Sequence, residues 1–299
     1  MTIAASIRQR LKNAADQAGR PFNQVLQHYG LERWLYRLSR SVHAERLILK
    51  GAMLLLAEEL PLSRPTRDLD FLAKMSNDLE AVRAVIAEVS STEVEDDGLH
   101  FDAKSVQTER ISMGARYEGV CAIVRGQLGT ARVVVRIDLG FSDVITPGPR
   151  RLVYPTLLDL PAPQLLGYSL ESAIAEKVES MVTLGEINSR MKDFFDVWAL
   201  SRTHVFERSV LKAAIERTFE RRGSELEAAK VFLSSDFASR PRVGEEWQSY
   251  VKRTGLDDVA PASLGELWGR LREFVEPVFG DEGAGASWSP TRGWESGGG

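Results

Sequence analysis

Apolar residues recur at helical spacing through the first forty positions. Ile7, Leu11 and Ala14 fall on one side of a helix predicted over about 6–18, with Arg8, Arg10 and Lys12 on the other. Gly19 and Pro21 interrupt it, and a second helix over about 22–40 carries Phe22, Leu26, Trp34, Leu35 and Leu38. Arg33, Arg37 and Arg40 share its polar face, which reads as solvated basic surface. Strong helix formers follow from 52 to 60, and Pro61 ends them. Leu69, Phe71 and Leu72 fit a short buried strand, and Leu79, Val82, Val85, Ile86 and Val89 a helix over 77–90. The acidic stretch 93–98 reads as a loop or short edge strand. Beyond residue 111 the period falls to two, predicting strands over about 114–125 and 132–141 joined by a turn at 126–130. Val133, Val135, Ile137 and Leu139 occupy one face of the second strand; Val134, Arg136 and Asp138 occupy the other.

Pro147, Gly148, Pro149, Pro155, Pro161 and Pro163 interrupt the pattern and mark a boundary between lobes at 1–160 and 161–299. Downstream the chain reads as helical, without convincing strands. Ser169 is placed to cap a helix whose buried stripe is Ile174, Val178, Met181 and Val182, with Lys177 at its border. Met191, Phe194, Phe195 and Trp198 form the core face of the next helix. Lys192, Asp193 and Asp196 lie off that face, where Lys192 and Asp196 are spaced to pair on the surface. Three or four further helices are predicted over 207–279. Trp288 and Trp294 are expected to dock on the body, and the terminal glycines to be disordered. There is no internal repeat.

Composition changes this picture little. At 299 residues the chain can bury a substantial core, and its charged fraction of 27% is ordinary. The net charge of −4 neither announces nor excludes a nucleic-acid partner, since local patches decide that. The single cysteine, Cys121, rules out an internal disulfide framework and reads as a small buried strand residue. No signal-peptide core stands at the N-terminus. The longest apolar stretch, 47–62, is broken by Lys50, Glu58 and Glu59. The expectation is a soluble cytoplasmic protein with no membrane segment.

The chemistry gathers between residues 49 and 73. Gly51 can take a backbone conformation closed to other residues, and a helix following it would aim free N–H groups at a phosphate. Thr66, Asp68 and Asp70 share one face of the predicted strand. Two like charges about 4 Å apart repel by about 4 kcal/mol near a protein surface, and a divalent cation between them turns that cost into binding. Asp138, on the polar face of a nearby strand, is a candidate third carboxylate of the kind that a two-metal site requires.

The order of these features resembles the AbiEii/AbiGii-type nucleotidyltransferase toxins, whose pattern runs K-G-G, a helix, then R-x-[ST]-x-D-[ILV]-D. Lys50, Gly51, Arg64, Thr66, Asp68, Leu69 and Asp70 match it. Ala52 departs from it and leaves only its backbone N–H for phosphate. Glu32, Arg33, Trp34, Leu35, Arg37, Leu38 and Ser39 match a run that often precedes the Lys-Gly pair. Glu176, Lys177, Arg190, Lys192, Asp193 and Asp196 match a second motif region, so the resemblance is clearest over about 31–200.

The resemblance implies an α/β (α+β), two-lobed polymerase-β-like nucleotidyltransferase fold: a small mixed-sheet lobe, a helical lobe, and the nucleotide between them. It implies in-line attack by a hydroxyl on the α-phosphorus of a nucleoside triphosphate. The implied catalytic set is Asp68, Asp70, Asp138, Lys177, Asp193 and Asp196. Magnesium or manganese would be held by Asp68, Asp70 and Asp138, and the nucleotide by Lys50, Gly51, Ala52, Thr66, Arg67, Lys177 and Lys192. A phosphate on Thr66 would crowd Asp68, making that hydroxyl a candidate off-switch. The implied biology is a toxin that modifies RNA, above all the 3′ end of transfer RNA, blocks translation and has a cognate antitoxin. The alternatives are a nucleotidyltransferase with a small-molecule acceptor and a non-catalytic nucleotide-binding regulator.

Overall fold

The computed structural model describes residues 2–58, 60, 66–112, 118–280 and 286–295. Pro61, Arg64 and the terminal glycines, all named above, lie outside them. The chain divides into two compact units, one of residues 1–59, 65–143 and 149–168, the other of 60–64, 144–148 and 169–299.

The first unit begins with helices α1 (Ile3–Gln17) and α2 (Phe22–Arg40). Strand β1 (Leu47–Lys50) runs straight into α3 (Gly51–Ala57), followed by β2 (Asp68–Ala73) and α4 (Leu79–Ser90). Three long strands come next, β3 (Leu99–Ser112), β4 (Glu118–Leu128) and β5 (Ala131–Gly140), and then two short ones, β6 (Arg150–Val153) and β7 (Gln164–Gly167). They form one mixed seven-stranded sheet in the order β3-β4-β5-β2-β1-β7-β6. Strand β2 runs parallel to β5, and β1 parallel to β7. The predicted hairpin is present as β4–β5, with Gly129 taking φ +60° in its turn.

Two departures from the sequence reading have plain causes. Strand β3 is fourteen residues long yet was not legible, because a register shift between Asp102 and Gln107 breaks the period-two alternation. The proline-rich stretch contains β6 and β7, four residues each. Pro155, Pro161 and Pro163 fall between the two strands, where no ladder bond is lost.

Helix α2 overturns the expectation of a solvated basic face at Arg33 and Arg37, while Arg40 at its end is exposed as expected. Arg33 and Arg37 are 1% and 6% exposed. The helix is buried nearly all round, so each arginine must find a partner inside the protein. Arg37 donates to both carboxylate oxygens of buried Asp97, at 2.8 and 3.1 Å, and to the Leu99 carbonyl. Arg33 donates to the Pro161 carbonyl at 2.8 Å and lies 3.1 Å from Glu32. The Leu157 N–H donates to Glu32, whose carboxyl burial pushes up to about 7 against the pull of Arg33. The run from Glu32 to Ser39 is therefore a structural core element of the sheet unit.

The second unit contains α5 (Leu170–Leu184), α6 (Met191–Thr203), β8 (Phe206–Glu207), α7 (Arg208–Arg222), α8 (Leu226–Ser234), α9 (Pro241–Thr254), α10 (Leu264–Val275), β9 (Ser287–Ser289) and β10 (Gly293–Glu295). Ser169 caps α5 as its sequence suggests, accepting from the Ser172 N–H. The small sheet β10-β9-β8 corrects the reading that no strands follow. Its strands have two or three residues, too few to show a period. Trp288 is fully buried and donates to the Ser201 carbonyl; Trp294 stacks on Phe274. The fold is mixed α/β, with no helix among the described residues long and apolar enough to cross a membrane.

Candidate active site

Strand pairing places the chemical side chains in two adjacent rows on one face of the sheet. Lys50 of β1 is the register partner of Asp70 on β2, Asp70 of Asp138 on β5, and Asp138 of Cys121 on β4. In the next row Asp68 on β2 stands beside Arg136 on β5. Register partners project to the same side of a sheet, so Asp68, Asp70 and Asp138 share one face, as the alternation predicted for each strand separately.

Gly51 packs its backbone against this face. It has φ +68°, a conformation that lets β1 turn directly into α3. A Cβ on it would come within 2.1 Å of Asp70 Oδ2. Gly51→Ala is thus expected to displace the Asp70 carboxylate and strain the turn. Turnover should fall at least about a hundredfold, in line with the 1 Å sensitivity of positioned groups. Steady-state turnover with a melting curve as control measures this; wild-type turnover in Gly51→Ala would show that the close packing is dispensable.

Lys50 is buried. Its ammonium donates to Asp143 at 2.7 Å and stands 5.4 Å from the centre of the Tyr168 ring. Asp143 and Tyr168 carry no motif, and only the fold brings them to Lys50. Thr66 donates its hydroxyl to the Asp68 carbonyl at 3.2 Å, Arg67 is exposed, and Ala52 is half-buried.

Asp138 is largely buried, and its Oδ1 has no hydrogen-bond partner among the described residues. Arg136 Nε lies 3.1 Å from that atom without hydrogen-bond alignment, and donates to Oδ2 at 3.4 Å. Burial pushes the Cys121 thiol up to about 12, and the negative Asp138 beside it adds to the rise. Cys121 is therefore a neutral thiol against Asp138, in keeping with the buried strand residue expected.

Among the described residues no three His, Cys, Asp or Glu side chains form a group that could by itself hold a metal ion. A magnesium ion is ordinarily held by one or two carboxylates, with substrate phosphates and water supplying the rest. Asp70 and Asp138 on paired strands, with one buried Asp138 oxygen that has an ion-pair neighbour but no hydrogen bond, fit that kind of partial site, and Asp68 borders it.

The second unit collects the other predicted residues around Lys177. Its ammonium donates to Asp196 at 2.6 Å and to Asp193 at 3.2 Å. Burial alone would lower the lysine's pKa, but the Asp196 and Asp193 carboxylates raise it above the ordinary value. Asp193 and Asp196 are 5% and 7% exposed, so the expected surface pairing of Lys192 with Asp196 gives way to a buried cluster. Lys192 itself is half-buried. Arg222 joins Glu176 at 3.3 Å and Glu179 at 2.9 Å in the same unit. A cavity of about 400 Å³ beside α8, lined by Val231, Phe232, Phe237 and Arg240, contains none of the predicted site residues.

Residues 33–269 match the protein family described as "Nucleotidyl transferase AbiEii toxin, Type IV TA system". No curated protein matches the chain. Two solved structures are similar. JHP933 from Helicobacter pylori has 15% identity and a TM-score of 0.47, covering 82% of this chain and 88% of the other. A candidate nucleotidyltransferase from H. pylori also has 15% identity, with a TM-score of 0.44 and coverage of 82% and 90%.

Proposed function

Because this chain belongs to the AbiEii family of nucleotidyl transferase toxins of type IV toxin–antitoxin systems, we propose that it transfers a nucleoside monophosphate from a nucleoside triphosphate to an RNA hydroxyl. The acceptor in this reading is the 3′ end of transfer RNA, and the consequence is blocked translation. The observation that carries the transferase reading is the pairing of Asp70 with Asp138 on neighbouring strands, with the Gly51 backbone packed against Asp70.

In this reading Asp68, Asp70 and Asp138 hold magnesium or manganese, which supplies neutralisation of the charge that builds on the phosphates as the α-phosphorus is attacked. Asp138 orients the attacking hydroxyl and draws its proton toward the carboxylate. The Cys121 thiol beside it stays protonated and so is not a second acceptor for that proton. Lys50, steadied by Asp143, places a fixed positive charge in the row of Asp70. Ala52 offers a backbone N–H, and Thr66, Arg67 and Lys192 are the further nucleotide-binding residues of this reading. Lys177, Asp193 and Asp196 serve nucleotide binding as a cluster already assembled before the nucleotide arrives. Released pyrophosphate and an extended RNA are the products. A cognate antitoxin is the protein partner, and the cytoplasm is where RNA and triphosphate meet.

The test is to incubate the protein with total RNA and each labelled triphosphate in magnesium, with Asp70→Asn as control. The expected result is a labelled band at transfer-RNA size with wild type alone. Label that enters a small-molecule fraction instead would overturn the RNA acceptor, and no label in any fraction would leave a nucleotide-binding regulator.

A further inference from the structure

Arg136 has no place in the reaction as described, yet it stands in the middle of the acid face. It pairs in register with Asp68 across β2–β5 and lies two residues before Asp138 on the same face of β5. Its Nε is 3.1 Å from Asp138 Oδ1, 3.4 Å from Asp138 Oδ2 and 3.9 Å from Asp68 Oδ1. One guanidinium thus touches two of the three carboxylates proposed to hold a divalent ion. Those carboxylates repel one another, and a cation among them is the simplest way to keep them close in the absence of metal. The arginine side chain is 36% exposed and the Asp138 side chain 17%, so the guanidinium can leave toward solvent while the carboxylate stays.

We infer that Arg136 is a resident counter-ion of the acid face, occupying the position of the divalent cation and competing with it. The inference rests on the proposed reading that Asp68, Asp70 and Asp138 hold that cation. Until a divalent ion binds, the guanidinium offers Asp68 and Asp138 a common cation. Loading the divalent ion requires the two positive charges to separate, and the arginine is the one on a flexible stem. The protein therefore resists free divalent ions until a polyanionic substrate adds negative charge to the site. Arg136 is a positioning residue in this account: it acts through the carboxylates, and its removal should tighten metal binding, a direction that loss of a merely structural contact would not give.

The experiment measures Mn²⁺ binding to the nucleotide-free full chain by electron paramagnetic resonance, with melting curves with and without Mn²⁺. Arg136→Met is expected to melt a few degrees lower than wild type without metal and to recover with Mn²⁺. Its Mn²⁺ affinity should be about tenfold tighter, the size expected for removal of one like charge a few ångströms away. Arg136→Gln, which keeps an N–H donor for Asp138, should fold and also bind more tightly, and it decides the matter if Arg136→Met does not fold. Arg136→Lys should match wild type. Equal or weaker Mn²⁺ binding in the neutral variants, with clear binding by wild type, would overturn the counter-ion role alone. No Mn²⁺ binding by wild type or variants would overturn the divalent reading and this inference with it.

Discussion

Asp70→Asn should lose nucleotidyl transfer by about a thousandfold while keeping its fold, the upper range for removing one preorganised electrostatic group. Asparagine has the shape of aspartate, so it satisfies the tight approach of Gly51 to the Asp70 side chain. It removes a negative charge from a row that also holds Asp138, and like charges on paired strands cost stability. The melting temperature should therefore stay within about 2 °C of wild type, less than 1 kcal/mol for a chain of this size. What the variant lacks is the formal charge that would hold a divalent ion. Single-turnover transfer beside a thermal melt separates the two effects. Unchanged turnover with an unchanged melt would remove Asp70 from the chemistry and, with it, the metal role of the acid face.

Lys177→Met should be among the most destabilising single changes in the second unit. If the lysine merely lay along the apolar stripe of α5, methionine would keep its stem and cost nothing. The structure instead holds its ammonium between Asp193 and Asp196, both buried. Removing the cation leaves two carboxylates together away from water, and breaking a buried ion pair costs about 3–5 kcal/mol. The double variant Lys177→Met with Asp196→Asn should recover part of that loss, because one carboxylate rather than two then lacks the lysine. Urea unfolding of the three proteins measures it. A Lys177→Met midpoint equal to wild type would show that the cluster stabilises nothing. The sign of the pH dependence follows from the raised pKa of Lys177. A cation whose folded pKa lies above its unfolded value of 10.5 contributes fully below that value and loses its contribution only as pH rises through the folded one. Through neutral pH the cluster's contribution should thus be flat.

Losses of activity in Asp70→Asn and in Lys177→Met therefore mean different things. The first should be a loss of turnover in a folded protein. The second mixes nucleotide affinity with the folded fraction, and it must be corrected for stability before the lysine is given a part in binding. The AbiEii membership makes a triphosphate substrate and an antitoxin partner the natural frame for both measurements.

By itself the sequence determined what repeats locally. The helix cap at Ser169, the β4–β5 hairpin and the common face of Asp68 and Asp70 all follow from local residue type and spacing, because side-chain direction along a strand or helix has a fixed period. Tertiary structure alone decided which partner each charge takes. Arg33 and Arg37 lie on a helix with a polar stripe, yet neighbouring segments cover that stripe and supply Asp97 and the Pro161 carbonyl. Asp143 meets Lys50 across 93 residues of chain, and Arg136 meets Asp68 only because β2 and β5, distant in sequence, run side by side. Strand β3 is illegible in sequence for a related reason: its bulge shifts the alternation that a strand would otherwise display. Period is a property of neighbours along the chain. Burial and charge pairing belong to neighbours in space, and for this protein those set the acid face and the lysine cluster.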